Sequence, residues 1–238
     1  MQRVRVALIQ KQLGIRITHK DADEIRSFRP HFVCFPEYFF VNKKIGTNLQ
    51  TIHNFKKQRN RIKTLSKCLN TVVIGGTTPE ISGGEIYNTS FVFDNGRLLG
   101  YYRKRNLYFT EHEAITPGDS YNVFSSYGIK FGILICADVF KDDGFLAMRG
   151  LGARIVFIPT YSPKRIETPE EKFKRDVDIF VHGASISDAV IVKVCGVKSE
   201  FRDFLQARSL IADKNEVLYR VNPDEEEKEM IIKKEIVI

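Results

Sequence analysis

The chain has no apolar run close to the roughly 18 residues a helix needs to cross a bilayer. Its basic, then apolar, start (Met1 to Ile9) is cut off by Gln10, Lys11 and Gln12, too early for the hydrophobic region of a signal peptide. It reads instead as a first strand, and a soluble cytoplasmic protein is expected, with no membrane partner. Cysteine is sparse. Cys34, Cys68, Cys136 and Cys195 are far apart and form no C-x-x-C pair, which argues against a zinc site of the usual spacing and against a disulfide framework. At least one thiol should be free. His112 stands between Glu111 and Glu113 but has no second histidine at helical spacing, so a solvated loop is expected there and neither metal nor cofactor. The chain shows no RNP, zinc-finger or helix-turn-helix pattern, no internal repeat and no linker-like stretch.

The net charge of +8 would allow a nucleic-acid partner. Much of the excess sits on one helical stretch, however: Lys56, Lys57, Arg59, Arg61, Lys63 and Lys67, with no acid between them. Such a run reads as a solvated helix face, and nucleic acid is not expected as a partner.

The 238 residues suffice for one large domain, and residues 1–238 are read as one. Val4 to Gln10 and His31 to Phe35 read as strands flanking a short helix from Asp21, its candidate N-cap, to Phe28, closed by Pro30. Leu49 to Leu69 is an amphipathic helix with Ile52, Phe55, Ile62, Leu65 and Leu69 on its apolar side. Thr71 to Gly75 is a strand, and Gly75 to Pro79 breaks regular structure. Asn88 to Asp94 and Leu98 to Tyr102 form a hairpin. Strands follow at Tyr121 to Phe124 and Ile129 to Cys136, a helix at Phe145 to Leu151 and a strand at Arg154 to Pro159. Thr168, Pro169 and Glu171 make a strong helix start, with the helix running toward Ser185. Ala189 to Cys195 is a strand, Ser209 to Tyr219 a hairpin, and the tail from Met230 is β-prone. Parallel crossovers together with hairpins imply a mixed sheet.

Taken alone, Cys136 reads as a small apolar core residue. Two other residues change that reading. Glu37, Lys104 and Cys136 each follow an extended segment and lie beside turn formers. A thiol attacks a carbonyl or nitrile carbon well only as thiolate. A carboxylate can take its proton, and an ammonium can stabilise both the thiolate and the tetrahedral oxyanion. The three are a sufficient kit for acyl transfer, although spacing alone does not bring them together.

The sequence resembles the nitrilase, or carbon–nitrogen hydrolase, superfamily. The resemblance rests on Phe35-Pro36-Glu37, on Tyr102-Arg103-Lys104 with Leu107, and on Gly132 to Asp138. Gly75-Gly76-Thr77, Tyr87 to Ser90, Pro117-Gly118-Asp119 and Gly152-Ala153 support it, and the match is good over roughly residues 4 to 160. It implies a four-layer αββα sandwich with two mixed sheets, usually dimerised through helices, hence a homodimer or larger homo-oligomer. It implies Glu37 as general base, Lys104 as stabiliser of the tetrahedral intermediate, Cys136 as thioester-forming nucleophile and the Ala137 N–H in the oxyanion hole. Glu111 is the matching second glutamate, favoured over Glu113 on motif register. The implied reaction is hydrolysis, with water, of a non-peptide C–N bond in a small amide or N-carbamoyl substrate. The alternatives are nitrile hydrolysis, amide-forming acyl transfer, or a catalytically silent binding protein. Tyr38, Tyr108, Val139, Phe140 and Tyr161 are the candidate pocket residues, with Phe39, Phe109 and Ser162 further possibilities. The sequence departs from the family after the cysteine: no proline follows that strand, and the usual arginine–alanine and glutamate–asparagine signature is absent around Ala184 to Ala189.

Overall fold

A computed structural model describes residues 1–41, 55–199, 205 and 208–238. The elements in chain order are β1 (Arg3–Gln10), α1 (His19–Phe28), β2 (Phe32–Cys34), α2 (Phe55–Leu69), β3 (Val72–Ile74), β4 (Thr78–Ser82), β5 (Glu85–Asp94) and β6 (Arg97–Arg103). Then come β7 (Val123–Ser126), β8 (Ile129–Ile133), α3 (Asp142–Leu151), β9 (Ile155–Thr160), α4 (Pro169–Asp176) and α5 (His182–Ser187). The chain closes with β10 (Val190–Cys195), β11 (Leu210–Ala212), β12 (Val217–Arg220) and β13 (Met230–Val237).

The strands form two sheets. One has the order β13-β1-β2-β3-β5-β4, with β6 also on β5; the other runs β12-β11-β10-β9-β8-β7. Each has a parallel centre, β1-β2-β3 or β8-β9-β10, and antiparallel flanks, so both are mixed. Alternation along the central strands explains the layering, because successive side chains point to opposite faces. Val6 and Leu8 face the core between the sheets with Phe131, Phe157 and Val192. Ala7 and Ile9 point outward to a second core holding Ile25 of α1 and Ile62 of α2. On the far side, Val156 and Ile191 pack with Phe145 and Met148 of α3 and Ala184 of α5. Phe32 joins the sheets, its ring centroid 4.9 Å from Phe131 and 5.3 Å from Phe157. The result is a four-layer αββα sandwich. Among the described residues no helix is long and apolar enough to cross a membrane.

The β-prone tail pairs antiparallel with β1 of the same chain, from Arg3↔Val237 to Gln10↔Met230. Four local expectations are corrected. The first helix is capped by Thr18 rather than Asp21; Asp21 sits at the third position and returns its carboxylate to the Thr18 N–H, 2.9 Å away. The break after β3 covers only residues 75–77, and β4 follows despite Pro79. That strand is an edge pairing only with β5, where a missing N–H costs no ladder bond. The cysteine strand ends at Ile133, and Cys136 opens a short 3₁₀ turn to Phe140. The helix beginning at Pro169 widens into a π-turn at Val177–Val181 before α5. Residues 49–54 of the expected basic helix lie outside the described residues; the rest is α2.

Candidate active site

Glu37, Lys104 and Cys136 lie beyond the C-terminal ends of β2, β6 and β8, where open α/β sheets expose ligand sites. Two glycines shape the approach. Gly76 adopts φ +61°, and a Cβ there would lie 2.1 Å from the Pro36 carbonyl oxygen, so only glycine lets that turn pass behind Glu37. A Cβ on Gly118 would lie 2.3 Å from the Arg103 carbonyl oxygen, just before Lys104. Cys136 itself has φ 45°, a left-handed conformation unusual for a non-glycine residue and a mark of functional elbows.

Lys104 is buried between two carboxylates, Nζ donating to Glu37 Oε1 at 2.9 Å and to Glu111 Oε2 at 2.7 Å. Asn88 Nδ2 also donates to both, at 2.9 Å to Glu37 Oε1 and 3.2 Å to Glu111 Oε1. Glu111 further accepts from the Tyr38 hydroxyl at 2.9 Å and the Tyr108 N–H at 2.8 Å. Tyr161 connects base and thiol through its backbone: its N–H donates to Glu37 Oε2 at 2.9 Å, and its carbonyl accepts from Cys136 Sγ at 3.4 Å. The Glu37 carboxyl and the Cys136 thiol also act on one another electrostatically.

The electrostatics follow from burial and these contacts. Burial pushes the Glu37 carboxyl above its ordinary value; Lys104 opposes this and the Glu111 charge adds to it. Burial alone would lower Lys104, but Glu37, Cys136 and Glu111 outweigh it and hold the ammonium protonated. For Glu111 burial acts upward, and Lys104 reverses the direction, so its carboxyl sits below its ordinary value. Burial and the Glu37 charge raise the Cys136 thiol far beyond its usual range, against Lys104. Burial therefore favours the neutral thiol at Cys136 and raises the proton affinity of the carboxyl beside it.

Asp138 ties the cysteine turn to the lysine loop. Oδ2 accepts from the Ile135 N–H at 2.7 Å and the Tyr102 hydroxyl at 2.8 Å; Oδ1 accepts from the N–H groups of Asn106 at 2.7 Å and Arg105 at 3.2 Å. One buried carboxylate thus spans the residues on either side of Lys104 and the residue before Cys136.

All three sit at a cavity of about 980 Å³. Tyr38, Tyr108, Val139, Phe140 and Tyr161 line it, as do Phe109 and Ser162. Phe39 does not: it is buried, its ring 4.8 Å from that of Phe35. Glu113 reaches the cavity wall, but it is Glu111 that contacts Lys104. His112 is exposed, and among the described residues no group of His, Cys, Asp and Glu could hold a metal ion. The sequence reading missed Asn88 as a shared donor and Asp138 as a latch; both fell inside quoted motifs, and their polarity in apolar strand contexts was the available signal. It also missed a charged cluster at the cavity's other end, around Asp176, Lys193 and Arg208.

Comparison with known proteins matches residues 19–232 to the carbon–nitrogen hydrolase family model. An omega-amidase of Bos taurus is 35% identical over 165 residues, covering 58% of this chain and 56% of the relative. A glutamine-dependent NAD(+) synthetase of Acinetobacter baylyi is 26% identical over 157 residues, covering 64% of this chain and 29% of the relative. The chain thus spans about half or less of the length of these relatives. Among solved structures, a carbon–nitrogen hydrolase from Helicobacter pylori G27 superposes with a TM-score of 0.82 at 18% identity, covering 98% of this chain and 88% of the other, which shows the shared fold. With the family model matched over most of its length, this chain belongs to the carbon–nitrogen hydrolase family.

Proposed function

We propose that the chain hydrolyses a non-peptide C–N bond of a small amide or N-carbamoyl substrate through a Cys136 thioester. The observation that carries this reading is the convergence of Glu37, Lys104 and Cys136 on one cavity, with the Glu37 carboxylate accepting from the Lys104 ammonium and the Tyr161 N–H, and the Cys136 thiol donating to the Tyr161 carbonyl. The amidase-type bond is supported by the bovine omega-amidase relative.

As Sγ adds to the carbonyl carbon, Glu37 takes the thiol proton, and the carbonyl π electrons move onto oxygen. Lys104 and the Ala137 N–H stabilise that oxyanion. Glu37 returns the proton to the leaving nitrogen, the C–N bond breaks, and ammonia or an amine departs. Water then adds to the thioester with Glu37 again as base, and the acid leaves as the thiol reforms. Glu111, Tyr38 and Asn88 hold Lys104 and Glu37 in place. The high thiol value suits this order, because no free thiolate is needed before substrate arrives.

The test is ammonia release from a panel of small amides, N-carbamoyl amino acids and nitriles. The native protein should act on amides or N-carbamoyl compounds, and Cys136→Ala should lose at least ~1000-fold in rate. Retained turnover in Cys136→Ala would overturn the assignment.

We further propose that residues 1–238 act as one domain, since β13 closes on β1. Pairing of two copies through the outer helices is supported by exposed Leu146 and Leu151 on α3 and Phe173 on α4; sedimentation velocity measures it.

A further inference from the structure

Helix α2 carries Lys56, Lys57, Arg59, Arg61, Lys63 and Lys67 and no acid, against a net charge of +8 for the whole chain. In the sequence this run reads as a solvated face. Three features of the fold point past that reading. The first is missing counter-charge. Several exposed cations elsewhere find a carboxylate: Arg3 with Glu235, Lys214 with Asp188 and Lys233 with Glu24. Among the described residues, none of the six on α2 is in an ion pair; Arg59 lies instead 5.3 Å from the centre of the Phe91 ring. The second is composition. Lys56, Asn60, Lys63 and Lys67 make one stripe along the helix, and Lys57, Arg61, Thr64 and Cys68 the next. Ile62 and Leu69 are turned into the core, and no large exposed hydrophobic residue falls on α2. The third is continuity. A Cβ on Gly96 would lie 3.3 Å from Lys67 Cβ, so the β5–β6 turn lies beside the helix and brings the exposed Arg97 to the same surface.

Such a face selects among polyanions. Protein interfaces centre on apolar or aromatic anchors, and α2 exposes none. A helix that lies on a membrane sinks apolar side chains into the headgroups, and those of α2 are spent on the core. Single strands are held by stacking bases on aromatic rings, also absent from this face. A duplex presents dense, regular phosphate charge and needs none of these. The B-form major groove admits an α-helix, whereas the A-form groove is too narrow. Lys56 to Lys67 span about 16 Å at 1.5 Å per residue, roughly half a turn of B-form duplex.

We propose that α2, with Arg97, is a docking face for double-stranded DNA, held through the phosphate backbone without reading bases. It lies in the outer layer on the far side of the sandwich from α3, away from any pairing of copies there.

The test is fluorescence anisotropy of a short labelled DNA duplex titrated with the full chain over a range of salt. The slope of log K against log salt should be about −4, as for four or five neutralised phosphates. Lys56→Gln/Lys63→Gln/Lys67→Gln should weaken binding at least tenfold and reduce the size of the slope by about 3, and Lys63→Gln alone by about 1. Arg3→Gln/Lys214→Gln/Lys233→Gln, which removes equal charge elsewhere, should leave both unchanged. Circular dichroism checks that each variant is folded, and the single substitution keeps the test open should the triple variant on α2 not fold. No duplex binding at low salt, or native binding by a folded α2 variant, would overturn the proposal. Equal losses in the two triple variants would overturn it as well, by tracing binding to net charge alone. So would tighter binding to an RNA duplex, to polyglutamate or to phosphatidylserine vesicles than to DNA, each of which would give the face another partner.

Discussion

At the Cys136 end of the cavity one ammonium lies between two carboxylates, 2.9 Å and 2.7 Å away; at the Lys193 end one carboxylate faces three cations, and only Arg220 is within hydrogen-bonding distance. Both groups are buried, yet they are held differently. The first is closed on itself, each charge fixed by several partners, as chemistry requires when geometry must be set before substrate arrives. The second leaves donors unfilled. Burial of charge therefore does not by itself mark a group's role, and the two groups differ in how closely their charges are paired.

Removing the central cation from each group should have the largest effect. Lys104→Met strands Glu37 and Glu111 together and should destabilise the protein by roughly 3–5 kcal/mol, with activity abolished. Lys193→Met removes a poorly paired charge from an apolar strand and should leave thermal stability level or raised. Urea unfolding of the two variants checks both, and an equal loss in each would erase the distinction.

Asp138→Asn should cost less than loss of Lys104. The amide keeps one acceptor oxygen but presents an NH₂ to donors that now point at a carboxylate. A penalty of about 1–3 kcal/mol is expected, with kcat falling more than KM rises because Lys104 and the Cys136 turn lose their shared anchor. An unchanged kcat would show that the latch does not position either one.

Glu37 must be ionised to act, and burial raises its carboxyl above the ordinary value of 4.5. The acid limb of kcat/KM should therefore lie above pH 4.5, and Glu111→Gln, which removes a like charge, should move it lower. Stability runs oppositely for the two acids. The raised Glu37 contributes stability below its unfolded value that is lost as pH rises through the folded one. The lowered Glu111 contributes stability above its unfolded value that is lost as pH falls through the folded one. An acid limb below 4.5 would contradict the assignment of Glu37 as base.

The smallest effect is expected at Tyr38→Phe. It removes one hydrogen bond to Glu111, which keeps Lys104, Asn88 and the Tyr108 N–H. A loss of about 1 kcal/mol in stability and a several-fold drop in kcat/KM should follow, measurable by thermal unfolding and steady-state kinetics.

Much of the closed group was legible in the sequence, because Glu37, Lys104 and Cys136 each end an apolar run beside a turn, and local pattern locates such ends well. The layered fold was readable only through resemblance, since strand periodicity cannot say which strands share a sheet. Pro79 hid β4, as a breaker inside a run argues against a strand unless it is an edge. The Lys193 group was not legible at all. Lys193 interrupts Ile191-Val192-Lys193-Val194 as a stray polar residue, and its neighbours come from four other elements or loops, at Asp176, Phe180, Arg208 and Arg220. Nothing local signals that meeting; the β9-to-β10 crossover and the antiparallel β10-β11-β12 run create it.

The covalent step at Cys136 can be observed directly. Intact-protein mass spectrometry of samples acid-quenched during turnover of a hydrolysed amide, followed by peptide mapping, should show the acyl mass on Cys136 and on no other thiol, the exposed Cys68 included. A protein that turns over the amide with no adduct at Cys136, or with the acyl group elsewhere, would contradict it.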